Sequence, residues 1–277
     1  MPESMFLKRK SQPHIILDLQ SHLGKVRLNN EDWMAFQAYL TNEPNPRRVL
    51  LAVLSDGVGG NRAGEVAAQI GVDSILELFE NIKALDDPED TLKEVIISAN
   101  IEVLNASATK PEYKGMCATC ICALIIEKNL YLGSLGDSRA YLLRRQTLRQ
   151  LNFDHNWLED TGEDNIRTKK SIGRDHPLAH VLSRYLGSAH PALVDTRLRP
   201  EARPFLANLS PASKLDLMKD DQIILCSDGL TDMLNDREIN KAIHGKKLQD
   251  DIQRLIQLAL EKGGHDNVSV ILMKVPY

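Results

Sequence analysis

Four aspartates occupy one kind of position: Leu54-Ser55-Asp56-Gly57, Leu135-Gly136-Asp137-Ser138, Cys226-Ser227-Asp228-Gly229 and His265-Asp266-Asn267-Val268. Each follows or precedes a short apolar run, at the edge where a strand gives way to a turn. A carboxylate buried alone at such an edge carries a desolvation cost that something must offset. One such residue is ordinarily a turn aspartate. Four of them between residues 56 and 266 point to carboxylates converging on shared divalent cations. Hard ions such as Mg²⁺ and Mn²⁺ take oxygen ligands, and the chain lacks the Cys/His spacing of a zinc site.

Neighbouring residues extend that chemistry. Asp56 stands before Gly57, Gly59 and Gly60, and glycines let main chain approach a ligand, so the Gly57 carbonyl is a candidate oxygen donor. A glycine-rich turn capping the next helix is the plain alternative. No Gly-Lys-Ser/Thr ends the segment, which excludes a phosphate-cradling P-loop. Arg27 precedes the paired acids Glu31 and Asp32 by four and five positions. A guanidinium fork suits phosphate oxygens and acids can orient metal-bound water, although an exposed charged turn has the same composition.

The elements that must position these residues are legible in the apolar pattern. Residues 14–19 and 49–54 are short apolar runs, and the second, uninterrupted, fits a strand covered on both faces. Ala63, Val66, Ala67, Ile70, Leu78 and Ile82 follow helical spacing, as do Leu92, Val95, Ile96, Ala99 and Val103 in a second helix over about 90–105. Asp87-Pro88-Glu89 is the start signal for that helix. Runs 117–126, 130–135 and 140–143 follow one another through short turns and predict antiparallel strands. Residues 222–226 predict a strand, 248–260 an amphipathic helix ended by Gly263-Gly264, and 268–275 a final strand. Residues 152–180 are polar and aperiodic, and 191–214, with Pro200, Pro204 and Pro211, reads as a surface insertion.

Composition narrows the class. The 277 residues are 43% hydrophobic and 26% charged, ordinary for a soluble globular chain, with a formal net charge of −4 that gives no general attraction to nucleic acid or anionic membrane. Lys8-Arg9-Lys10 reads as part of a solvated tail over residues 1–13. No apolar leader follows it and no run is long enough to span a membrane, so a cytoplasmic location is expected. Cys117, Cys120 and Cys122 form a Cys-x-x-Cys-x-Cys run without a second pair and read as core thiols in a reducing compartment.

Taken in order, these segments resemble the metal-dependent protein phosphatase family (PPM, protein phosphatase type 2C), in its bacterial serine/threonine branch. The resemblance runs from about Ser21 to Val275. It rests on Arg27-Leu28-Asn29-Asn30-Glu31-Asp32, Ser55-Asp56-Gly57-Val58-Gly59-Gly60, residues 115–119, Gly136-Asp137-Ser138-Arg139, Cys226-Ser227-Asp228-Gly229 and Gly263-Gly264-His265-Asp266-Asn267. Phe153-Asp154-His155 and the run from His176 to Gly187 resemble the segments bracketing a flap.

The resemblance implies one α+β domain, a four-layer α-β-β-α sandwich with two central antiparallel sheets flanked by helix pairs. It implies hydrolysis of phosphoserine and phosphothreonine by direct attack of a metal-bridging hydroxide. Asp56 would bridge two Mn²⁺ or Mg²⁺ ions, Asp228 and Asp266 complete one, and the Gly57 carbonyl serve the other. Glu31 and Asp32 would act through water, Asp137 would hold a weaker third ion together with Asp228, and Arg27 would bind phosphate. Substrates would be phosphorylated proteins made by a serine/threonine kinase, with neither nucleic acid nor membrane as partner and a monomeric enzyme. A non-catalytic phosphoprotein-binding module is the competing reading, and retention of every acidic ligand argues against it. Many eukaryotic members place histidine after the Asp-Gly; here Val58 stands there, which leaves the general acid open. Residues 162–174, with Arg167, Lys169, Lys170 and Arg174, read equally as a solvated loop or a docking surface for acidic phosphopeptides.

Overall fold

The computed structural model of the chain describes residues 6–58, 63–160, 181–199 and 213–277. Among the described residues, eleven strands form two antiparallel sheets. The first, in the order β1-β3-β4-β5-β6-β9, contains β1 (Leu7–Lys10), β3 (Asp32–Thr41), β4 (Arg48–Asp56), β5 (Cys120–Ile126), β6 (Asn129–Leu135) and β9 (Lys214–Asp216). The second, in the order β2-β11-β10-β7-β8, contains β2 (Ile16–His22), β7 (Arg139–Arg144), β8 (Thr147–Gln150), β10 (Gln222–Cys226) and β11 (Val268–Lys274).

Alternation along each strand divides the apolar residues among three layers, because successive side chains face opposite ways. In β4, Leu50, Ala52 and Leu54 enter the core between the sheets, while Val49, Leu51 and Val53 face α1 (Gly64–Glu80) and α2 (Pro88–Ser107). In β10, Ile223 and Leu225 join the central core; beyond the single-turn helices α3 (Trp157–Asp160) and α4 (Asp228–Thr231), Ile224 and Cys226 pack under α5 (Asp236–Ala242) and α6 (Leu248–Glu261). Continuous apolar runs thus arise where both faces are covered, and the four-layer sandwich follows. The Asp87 side chain caps α2 by accepting from the Glu89 and Asp90 N–H groups, as the sequence signal predicts. Among the described residues no helix is long and apolar enough to cross a membrane.

Three expectations need correction. Residues 7–10 belong to an edge strand, with Leu7 buried against Tyr39 and Phe79 and Arg9 paired with Glu80, so the expected tail over 1–13 is part of the first sheet there. Its basic residues are the charges that blunt an exposed edge. In the segment read as a surface insertion, the Asp195 backbone exchanges hydrogen bonds with Ser134, Leu198 is buried in the central core, and Lys214 opens β9. Residues 200–212, including Pro200, Pro204 and Pro211, lie outside the described residues, as do Gly59, Gly60 and 161–180 with the basic flap residues. Cys120 and Cys122 are core thiols, but Cys117 is only partly buried and lines a cleft.

If residues 7–10 are integral, Leu7→Ala should lower the unfolding free energy by about 2–5 kcal/mol, the usual cost of a cavity at a buried leucine. Urea denaturation of the metal-free protein measures it; a change near zero would restore the tail.

Candidate metal centre

Antiparallel order puts the ends of β4, β6 and β10 beside the starts of β3, β5, β7 and β11. The site is built where those ends meet. Register sets Asp32, the first residue of β3, directly across from Asp56, the last of β4. Asp228 opens α4 (Asp228–Thr231) straight after β10, and Asp137 occupies the turn between β6 and β7. A cleft of about 560 Å³ is lined by Arg27, Asp56, Gly57, Asp137, Asp228 and Asp266, together with Asp232, Cys117, Thr119 and the wall residues Val181, Leu182 and Tyr185.

Of the residues singled out from sequence, Glu31 and Asp32 do not line this cleft. Asp32 is buried beside Asp56, and its Oδ2 accepts from Ser227 Oγ at 2.8 Å. Its Oδ1 is buried with no hydrogen-bond partner. Glu31 flanks the Gly57 backbone, where its carbonyl accepts the Gly57 N–H at 3.1 Å. A Cβ on Gly57 would stand 2.3 Å from the Gly64 carbonyl, so only glycine fits.

Asn267 fastens the arginine loop. Its Oδ1 accepts from the Glu31 N–H, and its Nδ2 donates to the Leu23 and Asn29 carbonyls, all within 2.9 Å. The loop so held brings Arg27 Nη2 to 2.5 Å from Asp266 Oδ2. Thr119 performs a similar service for Asp56: its Oγ1 accepts the Asp56 N–H at 3.0 Å, and its own N–H donates to the Asp56 carbonyl.

Electrostatics follow from burial. Asp32 and Asp137 are pushed up to about 6, first by desolvation and then by neighbours, Asp266 acting on Asp32 and Asp154 on Asp137. Asp56 and Asp228 are raised well above the ordinary carboxylate range, again by desolvation and then by the surrounding aspartates. Glu31 is raised by burial and by Glu65. Asp232 adds negative potential at both Asp137 and Asp228. Sequence reading missed it, since an acid four positions after Asp228 looks like any exposed helical residue. Its offset from Asp228, one helical turn, was the signal available.

Oxygen donors alone, buried and mutually repelling, with an orphaned carboxylate oxygen among them, fit hard divalent cations. As they stand, no three His, Cys, Asp or Glu side chains among the described residues gather closely enough to hold an ion. Asp266 is engaged by Arg27, and Asp32 by Ser227.

Acids lining one cleft with a guanidinium at its mouth suit metal-dependent hydrolysis of a phosphate ester. The chain matches the model of Protein phosphatase 2C over residues 20–268 and belongs to that family. It is 29% identical over 264 residues to the Serine/threonine phosphatase stp of Listeria monocytogenes serotype 4b (strain F2365), covering 93% of this chain and 94% of that one. The crystal structure of the Mycobacterium tuberculosis serine/threonine phosphatase PstP/Ppp matches with a TM-score of 0.77 at 27% identity, over 95% of this chain and 99% of that chain. The catalytic domain of PstP in complex with two manganese ions matches with a TM-score of 0.71 at 29% identity, over 95% and 99% of the two chains. The protein is a metal-dependent serine/threonine phosphatase of the bacterial branch, with the α+β sandwich that the sequence resemblance implied.

A carboxyl whose pKa is raised by folding adds stability while protonated, below its unfolded value of about 3.9, and loses that contribution as pH climbs through the folded value. For Asp32 and Asp137 the loss falls between about pH 4 and 7. Cations that bind the ionised carboxylates reverse it. The melting temperature gap between Mn²⁺-loaded and EDTA-treated protein should therefore widen from pH 5 to pH 7 in calorimetric scans. A gap independent of pH would contradict the assignment.

Proposed function

We propose that the chain works as one cytoplasmic, monomeric phosphatase domain acting on phosphoserine and phosphothreonine in proteins modified by a serine/threonine kinase. Two core ions, Mn²⁺ or Mg²⁺, would be held by Asp56, Asp228, Asp266 and the Gly57 carbonyl, with Glu31 and Asp32 acting through water. A weaker third ion would take Asp137 and Asp228, and the position of Asp232 in the same cleft adds it to that set. When bound, such ions polarise phosphoryl oxygens and make water nucleophilic at neutral pH. The observation that carries this reading is the gathering of Asp56, Asp137, Asp228 and Asp266 in a single cleft from four separate strand ends.

The protein's own groups then have distinct tasks. Arg27, held at the cleft mouth by Asp266, would offer its fork of N–H donors to the phosphate. Ser227 and Thr119 keep Asp32 and Asp56 in place while charge develops. Val181, Leu182 and Tyr185 give the cleft an apolar side that limits water around the ester. Among the described lining residues there is no histidine, so none is assigned as donor to the departing alkoxide.

Asp228→Asn should abolish hydrolysis of a phosphopeptide, with a fall of at least about 100-fold, the scale of losing a charge-stabilising element. Circular dichroism should show an unchanged fold, and EDTA should reproduce the loss in the parent. Activity retained in Asp228→Asn would sink the proposed centre. Arg27→Ala should cost less, by raising KM for phosphopeptide more than it lowers kcat if the guanidinium serves chiefly in phosphate binding.

A further inference from the structure

The two residues flanking Asp137 are tied to different parts of the molecule. Ser138 Oγ lies 2.7 Å from Thr119 Oγ1, the hydroxyl that also receives the Asp56 N–H, so this side is fixed to β4 and the core carboxylates. Gly136 is tied to His155 twice. Its carbonyl accepts the His155 backbone N–H at 2.9 Å, and its own N–H donates to His155 Nδ1 at 3.2 Å. There is no slack in this turn: Gly136 has φ +98°, and a Cβ there would lie 2.7 Å from the Thr119 side chain.

A backbone N–H only donates, so Nδ1 must be the accepting nitrogen and the ring proton resides on Nε2. From there it faces Asp195 Oδ2 at 3.3 Å. Burial alone would raise the Asp195 carboxyl, but hydrogen bonds from His155 and Arg197 hold it below its ordinary range. The same histidine carries the cleft wall. Its carbonyl accepts the Ser183 N–H at 3.1 Å, Asn156 bridges Leu182, and the Trp157 N–H donates to the Val181 carbonyl at 2.9 Å. Val181 and Leu182 line the cleft that contains Asp137.

We propose that His155 is a positioning residue that makes the wall at 181–185 and the Asp137 turn move as one body. Affinity for the weaker ion is then linked to how the wall is seated. The inference rests on the reading that Asp137 holds a third ion. The ring is more than core filling, since Nδ1 accepts from the Asp137 turn and Nε2 faces Asp195, while the backbone of residues 155–157 carries the wall.

Two variants separate these roles. In His155→Asn the side-chain oxygen stands near Nδ1 and can still accept from Gly136, while His155→Gln reaches toward Asp195 and leaves the Gly136 N–H without an acceptor. Mn²⁺ titration of the full chain by calorimetry should show the weaker ion bound about tenfold less tightly in His155→Gln, with the two tighter ions unchanged. His155→Asn should keep the weaker ion near parental affinity. Equal affinity in all three proteins, or equal loss in both variants, would overturn the proposal. Amide hydrogen exchange at Gly136 in EDTA-treated protein provides a readout without metal: protection lost in His155→Gln and kept in His155→Asn supports the tether, and equal protection in all three refutes it. A parent that takes up only two ions would refute the third-ion reading instead, and the exchange result would then decide the tether alone.

Discussion

Mutual repulsion among buried carboxylates is the constraint on which the rest of the molecule depends. Asp32, Asp56, Asp137 and Asp228 are all removed from water, which raises each of them first by desolvation and then by nearby acids, Asp266 for Asp32, Asp154 and Asp232 for Asp137, and the surrounding aspartates for Asp56 and Asp228. Two unit charges at 4 Å repel by about 4 kcal/mol at an effective dielectric of 20, several times a typical net hydrogen bond. Such a cluster persists only where the scaffold resists spreading. Two sheets with three apolar layers supply that resistance, because a close-packed core transmits strain instead of yielding to it.

Local neutralisation is divided between direct and indirect means. Arg27 pairs with Asp266 at the mouth, and Ser227 and Thr119 hold Asp32 and the Asp56 backbone without charge. Behind Asp137, the partly buried Arg139 is engaged by Asp154, whose charge outweighs that of the guanidinium at Asp137. The centre therefore stays short of positive charge, which is the property that makes it attract divalent cations. The cleft also has two structurally different sides. One is built from strand ends and is stiff, while the other descends from the irregular segment 181–199 and is seated through His155, Asp195 and short backbone bridges.

Much of this was legible in the sequence where the determinants are local. Strands β4, β5 and β10 announce themselves as unbroken apolar runs because both faces are covered, and α2 because Asp87 and Pro88 start it. The cleft aspartates stand out as carboxylates beside glycine or asparagine at strand ends. Strand β3 escaped notice because Trp33, Ala35, Phe36 and Gln37 mix exposed and buried positions without a clean period. Strand β1 escaped because Lys8, Arg9 and Lys10 serve an edge and look like a tail. Ser227, Thr119 and the tethering function of Asn267 had no distinctive local pattern, and Asp232 had only its one-turn offset from Asp228.

Residue type and spacing by themselves determined that carboxylates would stand at strand ends, that hard oxygen donors would dominate, and that strands and helices would share one α+β domain; the two-sheet sandwich was implied by the family resemblance of the ordered motifs. The first three properties follow from periodicity and side-chain chemistry within a few residues. Which acids share one cleft was decided only by tertiary structure. Asp32 meets Asp56 through the β3–β4 register, Asn267 reaches Glu31 across the sequence, and His155 joins Gly136 to Asp195. Each of these depends on how sheets stack and chain ends return, and backbone register over long separations leaves no trace in the local pattern of any one segment.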